Sequence, residues 1–370
     1  MRLLMVSSDT GVVAGRKGAF WNTLRGFHRY WDRIDVICPH VDEPVRLTAF
    51  GNVHFHPLPR TRLRVPLDVL RVGLRLCREQ RPDLIAAHSY GFQRMALGGL
   101  LLARRTKVPL VVEVHLVEGF PRTAGVVDAL RRRAYLLFFR LASRTARAFR
   151  VVNQAELTPI LKACGVPGER ILPLYAIYLD RSIFHPGGDR KVHDMVFVGR
   201  LVRNKGIATL LDAYEHLLRD RPEATFLIVG RGPLESWLHD AVRDRGLTGV
   251  RHVRWADMPD LADLYRQSRV VVCASYSEGG PRFTLEAMAC GVPAVSTPVG
   301  LMHEILGNGD GGRLTSSWSS AELANEVGRL LDDDDLYRRT SEQAARTGER
   351  FDYARTIREY ALAYHEVARG

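Results

Sequence analysis

Ten short apolar runs alternate with amphipathic helical patterns, and that rhythm restricts the fold more than any other feature of the chain. The strand candidates are residues 2–7, 34–38, 83–87, 108–115, 148–152, 194–199, 225–230, 250–254, 270–273 and 293–296. Between them lie helical patterns such as Ala19–Tyr30, Phe92–Arg105, Ile207–Leu218 and Leu234–Arg245. Strand and helix in strict alternation predict an α/β fold of doubly wound parallel sheets. The rhythm restarts after Tyr178–Arg190, a segment carrying Pro186, Gly187 and Gly188. At 370 residues the chain is too long for one ordinary core, so two domains are expected, 1–185 and 186–350. Residues 351–370 form a third segment, a terminal helix too amphipathic to be a frayed end.

Composition excludes several classes. Hydrophobic residues at 46% and charged residues at 25% are values of a soluble globular protein. No run approaches a membrane span, and the start, Met-Arg-Leu-Leu-Met-Val-Ser-Ser, reads as a first buried strand rather than a secretory signal. Cys38, Cys77, Cys164, Cys273 and Cys290 are scattered without Cys-x-x-Cys spacing, so neither a zinc site nor a disulfide framework is expected. Reduced cysteines point to a cytoplasmic protein.

The net charge of +12 is concentrated in two segments. Residues 60–81 hold seven arginines against Asp68 and Glu79; residues 122–150 hold eight against Asp128. Apolar residues such as Leu67, Leu70, Leu74, Tyr135, Leu136, Phe138 and Phe139 interleave with these arginines. Such helices can lie on an anionic bilayer, which would make the protein peripheral on the inner face of the plasma membrane. Only five of the 53 basic residues are lysine, so a compositional bias toward arginine is an equally open reading. Neither segment has a nucleic-acid-binding pattern, and no nucleic-acid partner is expected.

Residues 275–301 carry the chemistry. Glu278 is followed by Gly279, Gly280 and Pro281, then by a helical run from Phe283 to Ala289 that includes Glu286 and stops at Gly291. Glycines opening a helix leave backbone N–H groups and the positive dipole end free to hold a phosphate. If the eight residues from Glu278 to Glu286 wind helically, they turn about 800°, which puts both acids on roughly one face. A glycosidase acid pair is a poor reading, because this spacing separates the two carboxylates by roughly 10 Å or more.

With these segments in hand, the chain resembles the retaining glycosyltransferases of family 4. It shares their paired-glutamate segment, Glu278-Gly-Gly-Pro-Arg-Phe-Thr-Leu-Glu286, and their Gly-Arg-Leu…Lys-Gly loop, here Gly199-Arg200-Leu201 through Lys205-Gly206. Val114-His115 at a strand end and the terminal helix complete the likeness. The resemblance implies a GT-B fold, two Rossmann-like domains facing a cleft, with the C-terminal helix crossing back to the first domain. It implies a nucleotide-diphosphate sugar donor, UDP- or GDP-linked, and a front-face transfer in which the leaving phosphate accepts the acceptor's proton.

Arg200, Lys205 and the helix start at Gly280, Pro281 and Arg282 would meet the diphosphate, with Gly279 and Phe283 adjoining. Glu286 would bind the ribose; Glu278 and His115 would bind the donor sugar. His115 stands at a strand's carboxyl end, with a core or edge histidine as the alternative reading. Gly15 and Gly18 lie on the glycine-rich loop after the first strand, where members of this family often carry adjacent glycines that close over the diphosphate and acceptor; here the two are separated. Gly230, in Val229-Gly-Arg-Gly-Pro233, begins like a dinucleotide fingerprint, but Glu235 stands where a third glycine belongs; in the family this loop lies near the nucleotide.

Asp332–Asp335 reads as a helix cap and turn rather than a metal site, and no metal or other cofactor is expected. The family's Asn-Gly-Val-Asp segment is reduced here to Asp180 within Ala176–Asp180, and Trp255 replaces a common glycine near the base. The favoured acceptor is a lipid-linked or cell-envelope saccharide, as in polysaccharide biosynthesis. A soluble secondary-metabolite acceptor, a nucleotide-sugar epimerase or hydrolase, and a non-catalytic binding module are the alternatives.

Overall fold

A computed structural model describes residues 1–60, 64–175, 177–188 and 190–370. Arg62 of the first basic segment and Ala176 of the reduced family segment lie outside the described residues. By internal contacts the chain forms two units. The first comprises Met1–Val117, Ala129–Ala176 and Ala354–Gly370; the second comprises Glu118–Asp128 and Ile177–Tyr353.

The elements of the first unit run β1 (Arg2–Val6), α1 (Ala19–Phe27), β2 (Arg33–Cys38), β3 (Thr48–Ala49), β4 (Val53–Pro57) and α2 (Val65–Glu79). They continue as β5 (Leu84–Ser89), α3 (Arg94–Thr106), β6 (Leu110–Val114), α4 (Val126–Ala142), β7 (Ala148–Val151), α5 (Leu157–Ala163) and β8 (Ile171–Pro173). The sheet order is β3-β4-β2-β1-β5-β6-β7-β8, parallel apart from the β3–β4 edge pair. Order reverses between β1 and β5, whose carboxyl ends carry Ser7 and His88. Fully buried runs such as Leu84–Ala87 and Leu110–Val112 explain why these strands read as continuous apolar stretches.

The second unit runs β9 (His193–Val198), α6 (Ile207–Asp220), β10 (Phe226–Val229), α7 (Glu235–Asp244), β11 (Val250–Val253), α8 (Met258–Arg266) and β12 (Ser268–Cys273). It ends with α9 (Arg282–Ala289), β13 (Ala294–Ser296), α10 (Met302–Leu306), β14 (Gly312–Leu314), α11 (Ser320–Asp332) and α12 (Asp334–Glu349). The sheet is parallel throughout, in the order β11-β10-β9-β12-β13-β14. This is the doubly wound order that reverses between its first and fourth strands, and ligands of such sheets sit beyond the carboxyl ends at that reversal. Here the reversal lies between β9 and β12, so the loops 199–206 and 274–281 flank it.

The last helix, α13 (Tyr353–Arg369), belongs from Ala354 onward to the first unit. Its buried stripe of Ile357, Tyr360, Ala361 and Tyr364 follows the helical repeat, which is why it does not fray. Asp333 caps α12 by accepting from the Leu336 N–H at 2.8 Å, the role read from the acidic run. Among the described residues, no helix is long and apolar enough to cross a membrane.

Candidate functional site

In the second unit the two loops at the sheet's reversal are tied together by one backbone and one side-chain hydrogen bond. Tyr276 N–H donates to the Asn204 carbonyl and Asn204 Nδ2 donates to the Ser277 carbonyl, both at 2.9 Å. Gly206, at φ 65°, opens α6, and a Cβ there would strike the Ala274 carbonyl; only glycine lets the loops approach this closely. Thr297 Oγ1 and Trp318 Nε1 both donate to the Ser275 carbonyl at 2.8 Å and hold the second loop from beneath.

This stitching brings Lys205 against Glu278, and their side chains form an ion pair at the carboxyl edge. Burial pushes the Lys205 ammonium down, but the Glu278 carboxylate outweighs it and holds the ammonium above its ordinary value. Phe283 is core rather than surface, 7% exposed, edge-on to Phe197, with Lys205 Nζ 5.8 Å from its ring. Arg200 is exposed, close enough for its charge to oppose that of Lys205.

Helix α9 begins at Arg282, not before, with Pro281 at the N-cap. The helical rotation expected between Glu278 and Glu286 therefore does not apply: residues 278–281 are loop, because two glycines and a proline favour turn over helix. Pro281 at the N-cap makes no side-chain cap and the first turn of α9 holds no acid, so neither offsets the positive end of the helix. Gly279 accepts from the Leu301 N–H at 2.9 Å, while a Cβ on Gly280 would collide with Ile177.

Glu286, one turn into α9, is 7% exposed. Arg282 Nε donates to one of its oxygens at 2.8 Å and the Tyr265 hydroxyl to the other at 3.3 Å. Burial raises the Glu286 carboxyl above its ordinary value, more than Arg282 and Tyr265 lower it. The Arg282 guanidinium, expected on a diphosphate, is thus turned onto Glu286. Gly230, at φ 144°, packs against the Gly199 carbonyl, and its own carbonyl lies 2.7 Å from His252 Nε2. Its place is the joint between the loops after β9 and β10, with Arg231 5.6 Å from the exposed Trp255 ring.

The remaining candidates lie in the first unit. Gly15 has φ 81° beside Val45, and Gly18 is the N-cap of α1, where an added Cβ would meet nothing. His115 follows β6 and rests on a charge ladder that sequence reasoning did not find. Register pairs His88 of β5 with Glu113 of β6, and Glu113 with Arg150 of β7. Glu113 Oε2 lies 3.0 Å from Arg150 Nη1 and 3.3 Å from His115 Nε2; Oε1 lies 3.5 Å from His88 Nε2. From α13 the Tyr360 and Tyr364 hydroxyls donate to Oε1 at 2.5 and 2.9 Å.

Burial alone would raise the Glu113 carboxyl, but the histidines and Arg150 hold it well below the usual range. Burial lowers the His115 imidazole below its ordinary value, beyond what Glu113 restores. A nitrogen facing a carboxylate carries the proton, so Glu113 fixes His115 with Nδ1 as its open acceptor. The one signal in the sequence was a Glu and an Arg each inside a buried apolar strand.

Residues 181–347 match the family described as Glycosyl transferases group 1, and residues 19–175 match the Glycosyl transferase 4-like domain. D-inositol 3-phosphate glycosyltransferase 2 of Catenulispora acidiphila is 31% identical over 78% of this chain and 74% of its own. Glycogen synthase of Mycobacterium tuberculosis is 28% identical over 82% and 74%. Among solved structures, sucrose-phosphate synthase of Thermosynechococcus elongatus superimposes with TM-score 0.82 at 18% identity, covering 99% of both chains. Anabaena HepE in complex with UDP-glucose superimposes with TM-score 0.75 at 21% identity, covering 99% of this chain and 100% of that one.

Proposed function

We propose that this chain, which belongs to the group 1 (family 4) glycosyltransferases and has the GT-B fold, transfers a sugar from a nucleoside-diphosphate donor with retention of configuration. The observation that carries the reading is the Lys205–Glu278 pair beside the uncapped start of α9, at the reversal of the second sheet. As the glycosidic bond breaks, negative charge grows on the leaving diphosphate. Lys205, Arg200 and the N–H groups opening α9 stabilise that charge, which is where electrostatic catalysis acts. Glu278 holds the donor sugar's hydroxyls and, through its ion pair, aims Lys205. Glu286 receives the ribose hydroxyls, its carboxylate steadied by Arg282 and Tyr265. His115, oriented by Glu113, meets the donor sugar. The leaving phosphate takes the acceptor's proton, so no side-chain base and no metal are needed.

The favoured acceptor is a lipid-linked or envelope saccharide, met by a cytoplasmic enzyme at an anionic membrane. Helix α4 supports this: Leu130, Leu137 and Leu141 are 48%, 60% and 41% exposed, with Arg133 and Arg140 exposed among them. Each cation near an anionic surface adds about 1 kcal/mol of attraction. Binding to anionic liposomes that survives Arg131, Arg132 and Arg133→Ser removes that triplet from the contact.

The primary test screens UDP- and GDP-linked sugars by thermal shift, then follows product anomeric configuration by NMR with EDTA present. An inverted product or an EDTA-abolished reaction overturns the mechanism. Nucleotide release without any acceptor favours an epimerase or hydrolase instead.

A further inference from the structure

Among the described residues two clusters bring histidines and a carboxylate within ligand distance of one another: His88, Glu113 and His115, and Glu235, His239 and His252. The first is closed to a cation, because Glu113 is held by Arg150, Tyr360 and Tyr364, all buried and with no solvent to swing into. The second is different. Glu235 and His239 are four residues apart on α7, so they share one helix face. His252 lies on β11, with its Nδ1 2.9 Å from His239 Nε2.

The tautomer of His252 follows from its other nitrogen. His252 Nε2 is 2.7 Å from the Gly230 carbonyl, which can only accept, so Nε2 carries the proton and the neutral ring's Nδ1 is a bare lone pair. A ring fixed through its far nitrogen to a backbone carbonyl is how proteins orient metal-binding histidines. Two nitrogens bound at about 2.1 Å sit roughly 3.0–3.4 Å apart for angles between square and tetrahedral. The pair therefore needs a few tenths of an ångström of opening and a turn of one ring to aim its lone pair at the cation, and the exposed His239 can supply both.

We propose that Glu235, His239 and His252 form a site for one divalent transition-metal cation, of the zinc or nickel class that imidazole and carboxylate ligands favour. The cation replaces the proton that His239 Nε2 now donates to His252. It competes with Arg254, whose Nε lies 2.5 Å from Glu235 Oε1 and whose Nη2 lies 3.4 Å from Oε2; that side chain is 71% exposed and can turn out to solvent. Its effect is a clamp: Gly230, through His252, and Glu235 bracket the loop that carries Arg231, so occupancy ties both ends of that loop.

The test titrates ZnCl2 into the full chain, stripped with EDTA and dialysed, near pH 8. Competition with a chromophoric chelator reads affinity and stoichiometry. One equivalent is expected, weakened roughly tenfold or more by His239→Ala and by His252→Ala, and unchanged by His216→Ala. Arg254→Ala should bind more tightly, because it frees Glu235 and removes a nearby positive charge, and Glu235→Gln should bind more weakly. Thermal melts of each variant without metal exclude loss by misfolding. Zinc should also slow hydrogen exchange of the 230–235 peptide. Absence of a bound equivalent, or binding indifferent to His239 and His252, overturns the site; unaltered exchange at saturation overturns the clamp. None of these readouts depends on glycosyl transfer.

Discussion

Removing the charge of Glu113 should destabilise the first unit far more than its single side chain suggests. Glu113→Gln keeps the shape but leaves the Arg150 guanidinium, 1% exposed, without its counter-charge. Breaking a buried ion pair from one side costs about 3–5 kcal/mol. For a unit of roughly 180 residues each kcal/mol lowers the melting temperature by about 2–4 °C, so a fall of about 6–20 °C is expected. Tyr364→Phe, which deletes one hydrogen bond to the same carboxylate, should cost about 1.5–3 kcal/mol. Glu113→Gln combined with Arg150→Met should cost less than the two apart, since the second change removes the stranded charge. The sign of the pH dependence follows from the depressed carboxyl. Its contribution is present above the unfolded value near about pH 4.3 and is lost as pH falls through the lower folded value. Calorimetric melts from neutral pH into that acid window read both effects. A Gln variant melting within about 2 °C of the parent, or showing the parent's acid slope, would refute the reasoning.

Three further outcomes follow from the second unit. Lys205→Met should lower kcat by about a hundredfold or more, the scale of losing one electrostatic contact to developing charge; a steady-state kcat within threefold would speak against it. Glu286 has its carboxyl raised by burial, so donor kcat/KM should fall on the acid side at a pH above the ordinary carboxylate range. Glu286→Gln should flatten that limb, and an unchanged profile would remove Glu286 from donor binding. Gly280→Ala drives a Cβ into Ile177 and should cost about 1–3 kcal/mol by overpacking; an unshifted melting curve would show the loop yields without strain.

Much of the architecture was legible because parallel strands buried on both faces write themselves as apolar runs. Thus 270–273 and 148–152 were recognisable without any partner being known. Strand β4 was not, since His54 and His56 interrupt its pattern, and β3, β8 and β14 hold only two or three residues. The glycines around Glu278 marked a loop leading into a helix. They also concealed that the loop runs to Pro281, which undid the simple helical phase between the two acids. The His88–Glu113–Arg150 ladder was invisible for another reason: it exists only in the register of three strands and the return of α13. No spacing along the chain encodes a contact between Glu113 and Tyr364, 251 residues apart.

The most direct test of the account is a crystal structure of this chain soaked with the nucleoside-diphosphate sugar it binds best. The diphosphate should lie at the start of α9 within reach of Lys205 and Arg200, with the ribose hydroxyls on Glu286. A donor bound away from the loops 199–206 and 274–281 would contradict the central claim.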